Sequence, residues 1–203
     1  IGTYVHQDNM DSTRYLLDIR QSGLGLPDRD YYLEAKFSDI RADYRAHIAR
    51  MWALAGFEGA ADDVADRVIA LETALAQAHW DKVRNRDPQA TYNLMPVAEV
   101  AALGGALDVA AFLSRVGVAD KVAEVNIGQP DFVAALGGLV AETPLADWRD
   151  YLRWHLLAGS ASLLSRELDE ANFAFYGTRL RGVPAQRPLW KRGVDLVQAV
   201  MTE

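Results

Sequence analysis

The sequence predicts a mainly α protein with a small β element near its N-terminus. Three observations carry this. Apolar residues recur at helical spacing through most of the chain, four of the seven prolines stand where helices would begin, and only two short stretches alternate like strands.

The first strand-like stretch is TRYLLDIR, residues 13–20. It leads into LGLPDRDYYL, from Leu24 to Leu33, which is too polar for a core strand and too proline-broken for a helix. Pro27 fixes its own φ and drives Leu26 towards the extended region, so a turn is expected over Gly25 to Asp28. Asp28 serves as N-cap or turn residue, and Arg29 stands between two aspartates, able to pair with either.

Beyond Ser38 the positions Ile40, Tyr44, Ile48, Met51 and Ala55 step by four, four, three and four, one face of a helix that Gly56 stops. Val64, Val68, Leu71, Leu75, His79 and Val83 predict a longer helix that ends before Asp87-Pro88. Pro96 opens a short helix through Leu103, and Asp108 caps another that stops at Gly117. KVAEVNIG alternates, so a short strand is expected over Val122 to Ile127. Pro130 starts a helix through Ala141, whose Gly137-Gly138 pair suits close helix packing better than phosphate binding. Pro144 starts the next, with Trp148, Leu152, Leu156, Gly159 and Leu163 as its stripe. A further helix is expected through Ala171 to Tyr176, with Gly177 after it. The last begins near Pro188, carries Trp190, Val194, Val197 and Met201, and reaches Glu203 with no Gly, Asn or Pro to close it. The natural chain is therefore expected to continue, and the start, IGTYVHQDN, reads as the middle of a longer chain.

Composition removes several function classes. The net charge is −7, and the richest basic stretch, RLRGVPAQRPLWKR from Arg179, is broken by prolines, which excludes a nucleic-acid partner. No run of eighteen apolar residues spans a membrane, and with no cysteine the chain has neither disulfides nor thiolate metal sites.

The histidines are His6, His47, His79 and His155. None precedes a glutamate and no two lie four apart, so the H-E-x-x-H zinc helix is absent. Glu58 and Asp62 have E-x-x-x-D spacing but straddle a Gly-Ala connector, and the match is read as chance. Glu72 and His79 are seven residues apart on one helix face. They could serve as ligand or base, but an interface histidine bonded to a polar neighbour is the preferred reading. In NFAFYG, residues 172–177, spacing keeps Phe173, Phe175 and Tyr176 off a common face, which favours core or domain-interface packing over a pocket lining. These residues by themselves describe a helical domain cut from something larger.

GLGLPDRDYYL resembles the G-L-P-x-R-D-Y-Y signature of the neprilysin family of zinc metalloendopeptidases, through Gly25, Leu26, Pro27, Arg29, Asp30, Tyr31 and Tyr32. The resemblance extends in order through YVHQDNMDSTRYLLDIR, ALETALAQAHW, RDPQATYNLMPVAEVAAL, TPLADWRDYLRWHLL, NFAFYG and RPLWKRGVDLV, covering nearly the whole chain. It implies that residues 1–203 are a fragment of the N-terminal helical lid domain. Such a lid faces a thermolysin-like zinc domain across an internal cavity and limits access by substrate size. The implied partners are the C-terminal catalytic domain of the same chain and peptide substrates. The implied cofactor is zinc, held by that other domain and polarising a water for attack on the scissile carbonyl.

No catalytic or metal residue carries over to this segment, which is expected to be inactive alone, and no substrate-binding residue is assigned. NFAFYG has one residue too many to match the family's Asn-Ala-aromatic-Tyr motif. Gly193 stands where animal relatives carry a cysteine, which implies a bacterial-type member located in the periplasm or at the cell surface. Two other readings stay open: a helical binding module that kept the lid architecture without a catalytic half, and a small-molecule enzyme using His79 and Glu72. Within the signature, Arg29 is expected to bridge Asp28 or Asp30 to nearby backbone, and Tyr31 or Tyr32 to pack into the core.

Overall fold

The computed structural model describes residues 1–201. In chain order it contains β1 (Gly2–Gln7), β2 (Tyr15–Arg20), α1 (Asp30–Leu33), α2 (Ser38–Leu54) and α3 (Ala61–Ala78). These are followed by β3 (Leu94–Pro96), α4 (Val97–Gly104), α5 (Val109–Arg115) and β4 (Glu124–Ile127). The remainder comprises α6 (Pro130–Glu142), α7 (Leu145–Ser160), α8 (Arg166–Phe173) and α9 (Leu189–Met201). The fold is mainly α, as its periodicity predicts.

The four strands form one sheet in the order β1-β2-β4-β3. β2 is antiparallel to β1 and parallel to β4, which is antiparallel to β3. β2 and β4 are the two expected strands; β1 and β3 are additional. Both lie at the sheet edges, where a strand is defined by its one neighbour and needs no strong alternation of its own. Pro96 ends β3 at such an edge, where its missing N–H costs no ladder bond.

Two cores lie side by side. The first packs α2, α3, α7 and α8 around Tyr44, Ile48, Met51, Trp52, Val68 and Trp154. The second packs α4, α5 and α6 on the sheet through Ile19, Val100, Leu113, Val125, Ile127 and Val133. Leu71, Leu75, Phe132, Leu136 and Tyr151 join them. Helix starts follow the sequence signals closely. Asp108 Oδ1 accepts the Ala111 amide at 2.8 Å, and Pro130 opens α6. Gly56 takes φ +67° after α2, a conformation that favours glycine.

Three expectations are corrected. The helix expected to run to Val83 ends at Ala78, because His79 adopts an extended backbone and the chain turns away there. The inward face of α7 is Tyr151, Trp154 and Leu157, whereas the expected stripe residues Leu152 and Leu156 are 61% and 71% exposed. The cause is Trp154, whose indole fills the bundle core beside Tyr44 and so turns the opposite side of the helix outward. The helix expected through Ala171–Tyr176 is α8 continuing into a π-helical turn over Ala174–Arg179. Gly177 lies inside that turn because the Phe173 ring would stand 2.4 Å from any Cβ there. In the last helix the expected end at Glu203 lies outside the described residues.

The glycine pair behaves as its spacing suggests. A Cβ on Gly137 would sit 1.9 Å from the Gly104 carbonyl oxygen, so α6 and α4 meet backbone to backbone. Gly137→Ala should therefore force the helices apart and cost about 2–3 kcal/mol by overpacking. Gly138→Ala meets nothing within 4 Å and should leave stability unchanged or slightly raised, with urea unfolding of the two variants as the comparison.

Candidate functional site

The signature corner forms first from local rules. The Asp28 carboxylate accepts the Asp30 amide at 2.9 Å and starts α1, which places Tyr31 and Tyr32 on successive positions of one turn. Tyr31 stacks on Phe37, while Tyr32 is buried. The Tyr32 hydroxyl accepts the amides of Gly25 and Leu26 at 3.1 and 2.9 Å, so the segment folds back on its own backbone. The glycine is required: a Cβ on Gly25 would fall 1.8 Å from the Tyr44 hydroxyl.

That hydroxyl belongs to a buried cluster. Glu72, on α3, is fully buried and accepts three hydrogen bonds. Tyr32 Oη donates to Glu72 Oε2 at 2.7 Å, Tyr44 Oη donates to Oε1 at 3.1 Å, and His155 Nε2 lies 2.8 Å from Oε1. Trp154 Nε1 in turn donates to Tyr44 Oη at 2.8 Å. Burial, reinforced by the Glu72 charge, pushes the Tyr32 and Tyr44 hydroxyls far above the usual phenol range, so both stay protonated and act as donors. One carboxylate thus ties the corner, α2, α3 and α7 together.

Arg29 reaches back to the bundle: its Nη1 donates to the His79 carbonyl at 2.8 Å. The backbone half of its expected bridge is present, but Asp28 and Asp30 face Lys82, at 3.7 and 3.6 Å. Arg29→Ala removes a charge-assisted bond to a carbonyl, a loss of about 1–2 kcal/mol that lowers the melting temperature by a few degrees. An unchanged melting temperature would show that the corner does not depend on it.

The Glu72–His79 pairing does not form. The helix ends before His79, whose ring turns to the Ser22 carbonyl at 3.3 Å and packs edge-on against Phe132. Glu72 meets His155 instead, 83 residues on, a partnership no spacing rule can find. One sequence signal was available: Glu72 interrupts the stripe Val68, Leu71, Leu75, where a charged residue must be buried with partners. Glu58 and Asp62 are not brought together in a site. Glu58 receives the Trp52 indole N–H through its backbone carbonyl, and Asp62 pairs with Arg45. In NFAFYG, Phe175 is buried against His47 and Tyr44, as packing demands.

A second polar cluster anchors the sheet. Buried Asp18 accepts from Arg20 and from Asn126 Nδ2 at 2.8 Å. Burial opposes its ionisation, but the bonds from Asn126, Arg20 and His6 outweigh it and hold the carboxyl below its usual range. Asn93, in the RDPQATYN block, fastens to the same strand by donating to the Ile127 carbonyl at 2.9 Å.

Between the corner and the end of α3 opens a cleft of about 490 Å³, bounded by Leu26, Asp28, Arg29, Trp80, Lys82 and Arg86. Among the described residues no group of three or more His, Cys, Asp or Glu side chains is placed to hold a metal ion. The donor set of the described residues therefore does not fit a zinc centre.

The fold is a helical bundle backed by a small mixed sheet and locked around a buried carboxylate. The sequence model described as Peptidase family M13 matches residues 1–203. The chain belongs to that family, the neprilysin family of metalloendopeptidases. It is 26% identical over 195 residues to endothelin-converting enzyme 1 of Bos taurus, covering 90% of this chain and 26% of that protein. With neprilysin-2 of Drosophila melanogaster it shares 29% identity over 206 residues, covering 97% and 26%. Among solved structures, the open state of zinc metalloprotease ZMP1 from Mycobacterium tuberculosis matches with a TM-score of 0.94 at 40% identity, over 98% of this chain and 31% of that one. The chain spans about a quarter to a third of these relatives.

Proposed function

We propose that this chain is the lid and substrate-cavity segment of a zinc metalloendopeptidase. Its partners are the C-terminal catalytic domain of the same polypeptide and peptide substrates, and residues 1–203 belong wholly to the lid. The observation that carries the reading is the match of the whole chain to the family, combined with 40% identity to a protein named as a zinc metalloprotease. Apolar surface supports it. Leu145, Leu152 and Leu156 on α7, and Leu189, Trp190, Val197 and Met201 on α9, are exposed, and the rest of the parent would cover them. The role of the segment is to wall the cavity and select by size, while zinc, held by the other domain, supplies the hydrolytic chemistry. The parent works outside the cytoplasm, in the periplasm or at the cell surface, a reading that the family resemblance supports.

The test is hydrolysis by the full-length parent of quenched fluorogenic peptides and of a folded protein containing the same cleavable sequence. Chelator-sensitive cleavage of the peptides, with the folded protein spared, is the expected result. Cleavage of both substrates at similar rates would remove the lid role, and no chelator-sensitive cleavage would remove the peptidase.

A further inference from the structure

We propose that the cleft beside the signature corner is a subsite for a peptide carboxylate, either the C-terminal one or that of an Asp or Glu side chain. The reading of the ligand as a peptide rests on the proposed function above; the charge and shape of the cleft do not.

On a chain of net charge −7, this cleft gathers Arg29, Lys82 and Arg86 against Asp28 and Asp30. Asp81 also acts on Arg29 but is held by the amides of Val83 and Arg84, so what the cleft offers an anion is the set of unspent guanidinium donors. The acids are already engaged. Asp28 accepts the Asp30 amide, and both face Lys82. The arginines are not saturated. Arg29 donates one bond, to the His79 carbonyl, and keeps further N–H groups; Arg86 makes neither ion pair nor side-chain hydrogen bond among the described residues. A guanidinium fork matches a carboxylate in both spacing and plane.

The walls are fixed in advance. Gln21 Oε1 accepts the Trp80 amide at 2.7 Å, and Gln21 Nε2 donates to the Trp80 carbonyl at 3.0 Å. Asn85 Nδ2 donates to that carbonyl at 3.2 Å, and Tyr32 pins Gly25 and Leu26 on the opposite side. A ligand entering this space therefore orders little that is not ordered already.

The experiment uses the full-length parent with chelator present, so that nothing is hydrolysed, and fluorescence anisotropy of four labelled peptides of one sequence. These carry Glu or Gln at one internal position and a free or amidated C-terminus. One carboxylate form is expected to bind about fivefold tighter than its neutral counterpart, and the pair that shows the difference identifies the source. Arg86→Ala, at an exposed residue without partners, should abolish that preference and leave the neutral peptide unaffected. Lys82→Ala, which releases Asp28 and Asp30, should weaken it as well. Equal affinity for all four peptides, or a preference that survives Arg86→Ala, would overturn the assignment. A preference in a parent that shows no metal-dependent hydrolysis would sink the peptidase reading and leave the subsite standing.

Discussion

Glu72→Ala is expected to lower the unfolding free energy by about 4 kcal/mol and the melting temperature by roughly 10–15 °C. The estimate comes from what is left behind. Tyr32 and Tyr44 would each keep a buried hydroxyl with no acceptor, at about 1–3 kcal/mol apiece, and the missing carboxylate would leave a cavity beside them. His155, only partly buried, can turn to water and contributes less. Glu72→Gln separates these contributions. It keeps the volume but replaces one acceptor oxygen with an NH2 that confronts a donor, so about half the loss should remain. Urea unfolding followed by tryptophan fluorescence is a suitable readout, since Trp154 bonds to Tyr44 within the cluster. A loss below 1 kcal/mol for the alanine variant would show that the corner and the bundle hold together without the carboxylate. It would also leave the signature from Gly25 to Tyr32 without its physical reason, because Gly25 and Tyr32 are shaped around that carboxylate.

What the sequence reveals depends on whether a signal is local. α2 was legible because its face and its glycine stop lie within one segment. Gly137 was legible because a glycine inside an apolar helix has few uses other than close approach. α7 was legible as a helix but not in its facing. It carries apolar residues on two sides, and periodicity alone cannot say which side meets the bundle. The indole of Trp154 decides, by bonding to a hydroxyl 110 residues away. The edge strands β1 and β3 failed for the same reason, since each exists through its pairing partner. The signature residues fall at the corner, while the centre of the cluster, Glu72 with His155, joins residues that sequence spacing keeps apart. The family was legible through its signature residues and not through any spacing of candidate reacting groups.

Lowering the pH from 7 to 5 is expected to remove about 4 kcal/mol through two histidines that the fold keeps neutral. His47 is enclosed by the rings of Trp154, Phe175 and Tyr176, and burial lowers its pKa to about 4, with Arg50 adding to the effect and Asn172 opposing it. His79 is lowered to about 4 as well, mainly by burial beside Phe132 and partly by Arg29, against the Ser22 carbonyl. In the unfolded chain both titrate near 6.5. Between pH 6.5 and 4 the unfolded state therefore binds protons that the folded state refuses, and stability falls as the pH is lowered. Above 6.5 both states are neutral at these sites and the dependence vanishes; below 4 both are charged and the loss stops growing. Integration gives about 2 kcal/mol per histidine at pH 5 and about 3 kcal/mol at pH 4. Most carboxylates titrate below this window, so unfolding measured at pH 7, 6, 5.5 and 5 reads mainly the histidines. Comparison with His47→Gln/His79→Gln isolates these two. The double variant starts less stable, yet its stability should change far less between pH 7 and 5. A wild-type curve that is flat over that interval would mean that solvent reaches both imidazoles and that the bundle is looser around Trp154 and Phe132 than its packing indicates.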